Sequence, residues 1–309
     1  MAAITASLVK ELRDKTGAGM MDCKKALNEN DGDIEASIDW LRTKGIAKAD
    51  KKAGRVAAEG LVALCSSEDG KTGTLTEVNS ETDFVARNEE FQGAVREIAT
   101  LALAANGDTD ALASAATASG DTVKDFLVKM VARIGENMSL RRTTSLSVPQ
   151  GVVTSYMHNA VTDGLGKIGV LVGLQTTATG NGVAELGKKI SMHVAAAAPL
   201  ALSVESLDPA DVQKERDALI AEARESGKPE AIIEKMVDGR MSKFYKESVL
   251  LEQIFVMDGE RTIAQVIEDE AKTLGASVEL TGFARMALGE GIEKVEEDFA
   301  AEVAATRGS

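Results

Sequence analysis

The residues with chemical capacity are few. Two histidines (His158, His193) and two cysteines (Cys23, Cys65) are spread along 309 residues. No nucleophile sits beside a base in a familiar pattern, so covalent or acid–base catalysis has little to draw on. No Cys/His cluster has metal-ligand spacing. Gly17 and Gly19 do not open a phosphate loop, because no strand precedes them and no Gly-Lys-Ser/Thr follows. No cofactor, metal or catalytic residue is therefore expected. The most informative stretch is Glu77-Val78-Asn79-Ser80-Glu81-Thr82-Asp83-Phe84-Val85-Ala86-Arg87. An acid and an aromatic ring stand side by side there, where a β-branched strand (Thr74 to Val78) gives way to an Asn88-capped helix carrying Phe91, Val95, Ile98 and Leu101. On pattern alone, Asp83 caps a first turn and Phe84 packs inward. The alternative is Phe84 as a wedge for another protein, which forgoes about 1.5–3 kcal/mol of burial until a partner covers it.

Composition narrows the partner. The formal charge of −14 disfavours a phosphate backbone as ligand, and 3% aromatics leave little to stack on bases, so no direct nucleic-acid contact is expected. Lys48, Lys51, Lys52 and Arg55 read as a solvated linker or short helix. The start of the chain lacks a basic region ahead of its apolar residues, and Gly169 to Leu174 is among the longest apolar runs, which predicts neither signal peptide nor membrane span. Two unframed cysteines fit a reducing compartment, so the expected location is cytoplasmic.

The elements that must position the Asp83 corner read as α+β. Residues 4–45 give three short helices: one capped by Thr5 or Ser7, one from Met20 to Leu27, and one capped by Asp33 and ended by Gly45. One of the neighbours Met20 and Met21 can enter the core; the other is left as a soft surface contact. Strands at Leu61–Cys65 and Thr74–Val78 precede the corner, and a second helix spans Val123 to Ile134, stopped by Gly135. Strands at Val152–Met157 and Ile168–Thr176, followed by an Asn181-capped helix, repeat the strand-strand-helix order with antiparallel sheets. His158 ends the first of these strands, and His193 reads as packed or capping. Asp208-Pro209 opens an antiparallel helical hairpin, a candidate self-association surface, and a generic oligomeric scaffold is the alternative reading of the whole chain. Thr262 caps a helix to Lys272, Val278 to Leu288 alternates as a strand, and Ile292, Val295, Phe299 and Val303 mark a C-terminal amphipathic helix.

The Glu77 to Arg87 run, centred on Thr82-Asp83-Phe84-Val85, resembles the signature of the bacterial elongation factor Ts family. So do Leu12-Arg13 with Thr16 to Leu27, Ile134-Gly135-Glu136-Asn137, Phe255-Val256-Met257 and Gly289 to Glu296. The resemblance spans nearly the whole chain in order. It implies a ubiquitin-associated-like (UBA-like) N-terminal module at 1–55 and a core at 56–145 and 146–207. A dimerisation-type hairpin at 208–250, the rest of the core at 251–288 and a C-terminal module at 289–309 complete it. It implies a non-enzymatic guanine nucleotide exchange factor that binds elongation factor Tu, both GDP-bound and nucleotide-free, and disturbs its Mg²⁺ and nucleotide site. The residues implied there are Thr82, Asp83, Phe84 and Val85. Further contacts implied are Met20, Met21, Ile134, Gly135, His158, Val256 and Met257, with homodimerisation through 208–250 as an option. The loop Asn159–Gly166 departs from the family pattern by its length.

Overall fold

A computed structural model describes residues 4–178, 180–225 and 229–293. The protein is α+β, with helices packed around two antiparallel sheets. Three helices come first: α1 (Ala6–Thr16), α2 (Met20–Glu29) and α3 (Ile34–Lys52). Thr5 and Asp33 cap α1 and α3 through their side chains, and Leu12, Cys23, Ala26 and Leu27 form the buried centre. Gly45 does not end α3, which runs on to Lys52, so Lys48, Lys51 and Lys52 are helical and Arg55 alone of the basic stretch lies past the helix. A Cβ at Gly45 would lie 3.3 Å from that of Ala132, so the glycine serves close helix packing.

The core begins with β1 (Glu59–Ser66) and β2 (Thr72–Ser80), followed by a one-turn helix α4 (Asp83–Ala86) and α5 (Glu89–Ala105). Then come α6 (Thr109–Ser114), α7 (Val123–Ile134) and β3 (Met138–Ser147). A second set repeats the order: β4 (Gly151–His158), the short β5 (Leu165–Gly166), β6 (Ile168–Thr176) and α8 (Gly182–Ala197). After α9 (Pro209–Glu225) and α10 (Glu230–Ser248), the chain returns through α11 (Ile263–Leu274) to β7 (Val278–Ala287). The ion pairs Arg224–Glu230 and Arg216–Asp238 run in opposite order along α9 and α10, so those helices are antiparallel. Most of the expected C-terminal helix, including Val295, Phe299 and Val303, lies outside the described residues.

The repeat is closer than the sequence pattern alone conveys. The sheets are ordered β3-β2-β1-β5 and β4-β6-β7, each with the second strand of its unit flanked by the first and the third. Gly60 opposes Asn79, and Gly151 opposes Gln175, with φ of +121° and +120°. Both ladders slip at the same distance from those pairs, between Glu77 and Val78 and between Gly173 and Leu174. The sheets face each other across Val62, Leu75, Val153, Leu171 and Met286. Gly73 lies against Leu171 and Val153, while Gly169 lies against Leu75 and Val62. Each outer face is covered by its unit's helix. Phe91, Ala94, Val95, Ile98 and Ala102 of α5 and Val183, Leu186, Gly187, Ile190 and Val194 of α8 bury the same spacing. The expected loop Asn159–Gly166 ends in β5, which pairs with Val62 and Ala63 and so ties the second unit to the first sheet.

Candidate functional site

The corner follows from where β2 stops. Its last pair with β3 is Ser80–Met138, after which the ladder has no further backbone bonds to offer. Two carboxylates continue it. Glu81 accepts the Asn137 N–H at 2.5 Å, and Glu136 accepts the Thr82 N–H at 3.0 Å, each reaching the residue just beyond the other. Thr82 also donates its hydroxyl to Glu136 at 2.7 Å, and Arg55 pairs with Glu81 at 3.2 Å. The α4 turn then starts at Asp83, stapled to Arg87 by an exposed ion pair of 2.9 Å.

That turn divides its residues by side. Val85 and Ala86 point into the core beneath α5, whereas Phe84 is 76% exposed. The inward packing expected for Phe84 on pattern alone is therefore wrong. The inward positions of this short helix fall five and six residues after the ladder ends at Ser80, and Phe84, four residues after it, lies one residue too early. Val85 is buried and acts by seating the turn, not by facing outward. Ile134 and Gly135 stand beside the corner at the end of α7. Ile134 packs on the same core, and Gly135 takes the left-handed cap, its carbonyl accepting from Lys52.

The remaining expected contacts lie on other elements. Met20 and Met21 are both exposed, and neither enters the core. They form the first turn of α2, ahead of the Cys23, Ala26 and Leu27 face that meets α1. His158 is exposed at the end of β4, its Nδ1 3.1 Å from the Tyr156 hydroxyl. Val256 and Met257, with Ile254, form an exposed apolar loop. His193 holds that loop from below. Its Nδ1 accepts the Val256 N–H at 3.3 Å and its Nε2 lies 2.9 Å from Gln253 Oε1. The Gln253 amide donates to the Glu247 carbonyl, so its oxygen faces the imidazole and the neutral Nε2–H tautomer fits. Burial pushes the His193 pKa below its ordinary value, against the opposing Gln253 bond.

Sequence reading missed the carboxylates. Glu77 is fully buried in the middle of β2. It accepts from Arg141, Arg142, Asn79 and the Gly289 N–H. Burial alone would raise its pKa; the Gly289 N–H, then Arg142, Asn79 and Arg141, reverse that and leave the carboxyl below its usual range. Arg142 reaches on to the Ala287 carbonyl and Glu290, so Glu77 anchors the chain as it leaves β7. The available signal was an acid inside a β-branched strand together with the adjacent Arg141-Arg142 pair. Among the described residues no group of three or more His, Cys, Asp or Glu could hold a metal ion, and no helix is long and apolar enough to cross a membrane.

With this geometry in place, similarity to known proteins becomes interpretable. The sequence family described as Elongation factor TS matches residues 81–290. A protein named elongation factor Ts from Caulobacter vibrioides is 57% identical over 310 residues, covering 100% of this chain and 99% of its own. Its namesake from Maricaulis maris is 59% identical over 312 residues, with 100% and 99% covered. That from Rhodospirillum rubrum is 60% identical over 307 residues, with 99% of each chain covered. The chain belongs to the elongation factor Ts family.

Proposed function

We propose that this translation elongation factor, the guanine nucleotide exchange factor of elongation factor Tu, works through the Asp83–Phe84 corner. The observation that carries this reading is Phe84, 76% exposed on a turn whose neighbours are buried and hydrogen-bonded. A ring left in water on an otherwise tied-down turn is a cost that a partner's pocket repays.

Exchange needs no bond chemistry. A protein that binds nucleotide-free Tu better than GDP-bound Tu must, by linkage, weaken GDP binding by the same factor. Shifting such an equilibrium from 1:99 to 99:1 takes about 5.5 kcal/mol of differential binding, more than one phenylalanine supplies. The surfaces therefore act together: Met20 and Met21, the corner with Ile134 and Gly135, His158, the Val256–Met257 loop, and the 289–309 segment. In this reading Phe84 enters between elements beside the partner's Mg²⁺, and Asp83 displaces charge there. Mg²⁺ demands near-ideal octahedral geometry, so a small shift of its surroundings loosens its bridge to the phosphates and GDP departs. The nucleotide and metal belong to Tu. Translation sets the compartment as cytoplasmic. The α9–α10 hairpin, with Ile232 exposed at 47%, is the surface we assign to homodimerisation.

The test is release of fluorescent GDP from elongation factor Tu. The wild-type chain accelerates it; Phe84→Ala loses most of that acceleration while its unfolding transition moves by no more than about 0.5 kcal/mol, as for an exposed side chain. Full exchange activity combined with a large stability loss would make Phe84 a packing residue and end this reading.

A further inference from the structure

We propose that Glu136 is a positioning residue for nucleotide exchange, acting through Phe84 by fixing the turn that carries it. The inference rests on the wedge reading of Phe84. Thr82 occupies the cap position of α4, with φ −124° and ψ 157°, yet its side chain caps nothing. An N-cap threonine ordinarily accepts from the helix it precedes. Here its hydroxyl is turned away and donated to Glu136 at 2.7 Å, alongside the backbone N–H at 3.0 Å. The turn thus gives up its own cap for a two-point tether to Glu136, two residues ahead of β3.

A one-turn helix has too few internal hydrogen bonds to hold its own direction. The direction of α4 must come from outside it. Val85 and Ala86 anchor one side through burial. Glu136 fixes the entry, Glu81 locks Glu136's own segment in return through Asn137, and Ser80 holds the Thr82 carbonyl at 3.0 Å. Phe84 is two residues from the tethered Thr82. Without the Glu136 carboxylate, the turn keeps its buried anchor but swivels about it, and the ring samples orientations that do not enter the partner.

A double-mutant cycle on GDP release from elongation factor Tu separates this from a merely structural role. Glu136→Ala is expected to slow the maximal release rate about tenfold, the kinetic equivalent of one modest charge-assisted hydrogen bond. Glu136→Gln, which keeps one acceptor for Thr82, falls between it and wild type. In a Phe84→Ala background, Glu136→Ala should cost nothing further, because the ring it aims is gone. The same tenfold loss in both backgrounds would overturn the proposal, as would a wild-type rate for Glu136→Ala when Phe84→Ala is slow. A wild-type rate for Phe84→Ala would instead sink the wedge reading, and the role of Glu136 with it. Should Glu136→Ala fail to fold, Thr82→Val removes only the hydroxyl bond. It should show a smaller loss that also vanishes without Phe84; a wild-type rate, or a loss that persists without Phe84, would overturn the proposal.

Discussion

The two strand-strand-helix-strand units share register, bulge position and inward helix pattern, and they differ where the first has its corner. Seven residues, Glu81–Arg87, separate Ser80 from the Asn88 cap; four residues, 177–180, separate Thr176 from the Asn181 cap. The extra length in the first unit is spent on α4 and its exposed phenylalanine. The strand differs too: at the bulge the first unit has buried Glu77, the second Gly173. One unit has no such turn, and what it exposes is His158 and the Val256–Met257 loop. The other is the same scaffold with a turn added and a carboxylate hub beneath it. The proposed wedge is thus a departure from an internal symmetry, and the symmetric partner shows what the fold needs without it.

The sharpest way to press that contrast is through the first inward residue of each unit's helix. Phe91 is the first inward residue of α5, fully buried, and its counterpart in α8 is Val183. Phe91→Ala should destabilise the chain by about 3–5 kcal/mol, the usual cost of emptying an aromatic core site. Val183→Ala removes less volume and should cost less. Chemical denaturation of both variants checks the order. Equal costs would mean that the α5 unit does not depend on its ring more than α8 depends on valine.

Next in size is Glu77. Glu77→Ala takes the buried carboxylate from Arg141 and Arg142, which keep their bonds to Ala287 and Glu290, and leaves the Gly289 N–H without its acceptor, a loss of about 3 kcal/mol at the low end for breaking a buried pair, because both arginines are partly exposed. The sign of its pH dependence follows from the depressed pKa. Between the lowered native value and the ordinary 4.5, the unfolded chain binds the proton and the native chain does not. Stability contributed by Glu77 is therefore full above about 4.5 and is lost as pH falls through the native value. Glu77→Gln should flatten the acid limb of the unfolding profile. An unchanged acid limb would show that other carboxylates set it.

These residues also mark how far the sequence could be read. The helix and strand positions were legible because Phe91, Val95 and Ile98, or Ile168 to Thr176, carry periods that only one element satisfies. The corner was legible as a place but not as a geometry. Whether Phe84 faces in or out depends on the register at which α4 leaves β2, and that register is set by Glu136 and Glu81 across 54 and 56 residues of sequence. Long-range polar bonds leave no periodic trace. Gly45 misled for a related reason: a glycine is a local stop signal, and here α7, far along the chain, uses its missing side chain for contact. The short β5 was hidden because its two residues are too few to show alternation, and its pairing partner is β1.

The smallest predicted effect tests the symmetry itself. A Cβ on Gly73 would meet Leu171 at 2.7 Å, and one on Gly169 would meet Leu75 at 2.7 Å. Each glycine makes room for the leucine of the other unit, two residues along from the other glycine in its own strand. Neither has a positive φ, so alanine brings overpacking without backbone strain. Gly73→Ala and Gly169→Ala should each cost about 1–3 kcal/mol, at the scale of one methyl forced into a filled core. The two costs should agree, and the double variant should cost no more than their sum, because the gap widened for one methyl also makes room for the other. If one substitution is silent while the other is costly, the sheets face each other asymmetrically. The corner would then be one of several differences between the units and not a turn added to otherwise equal halves.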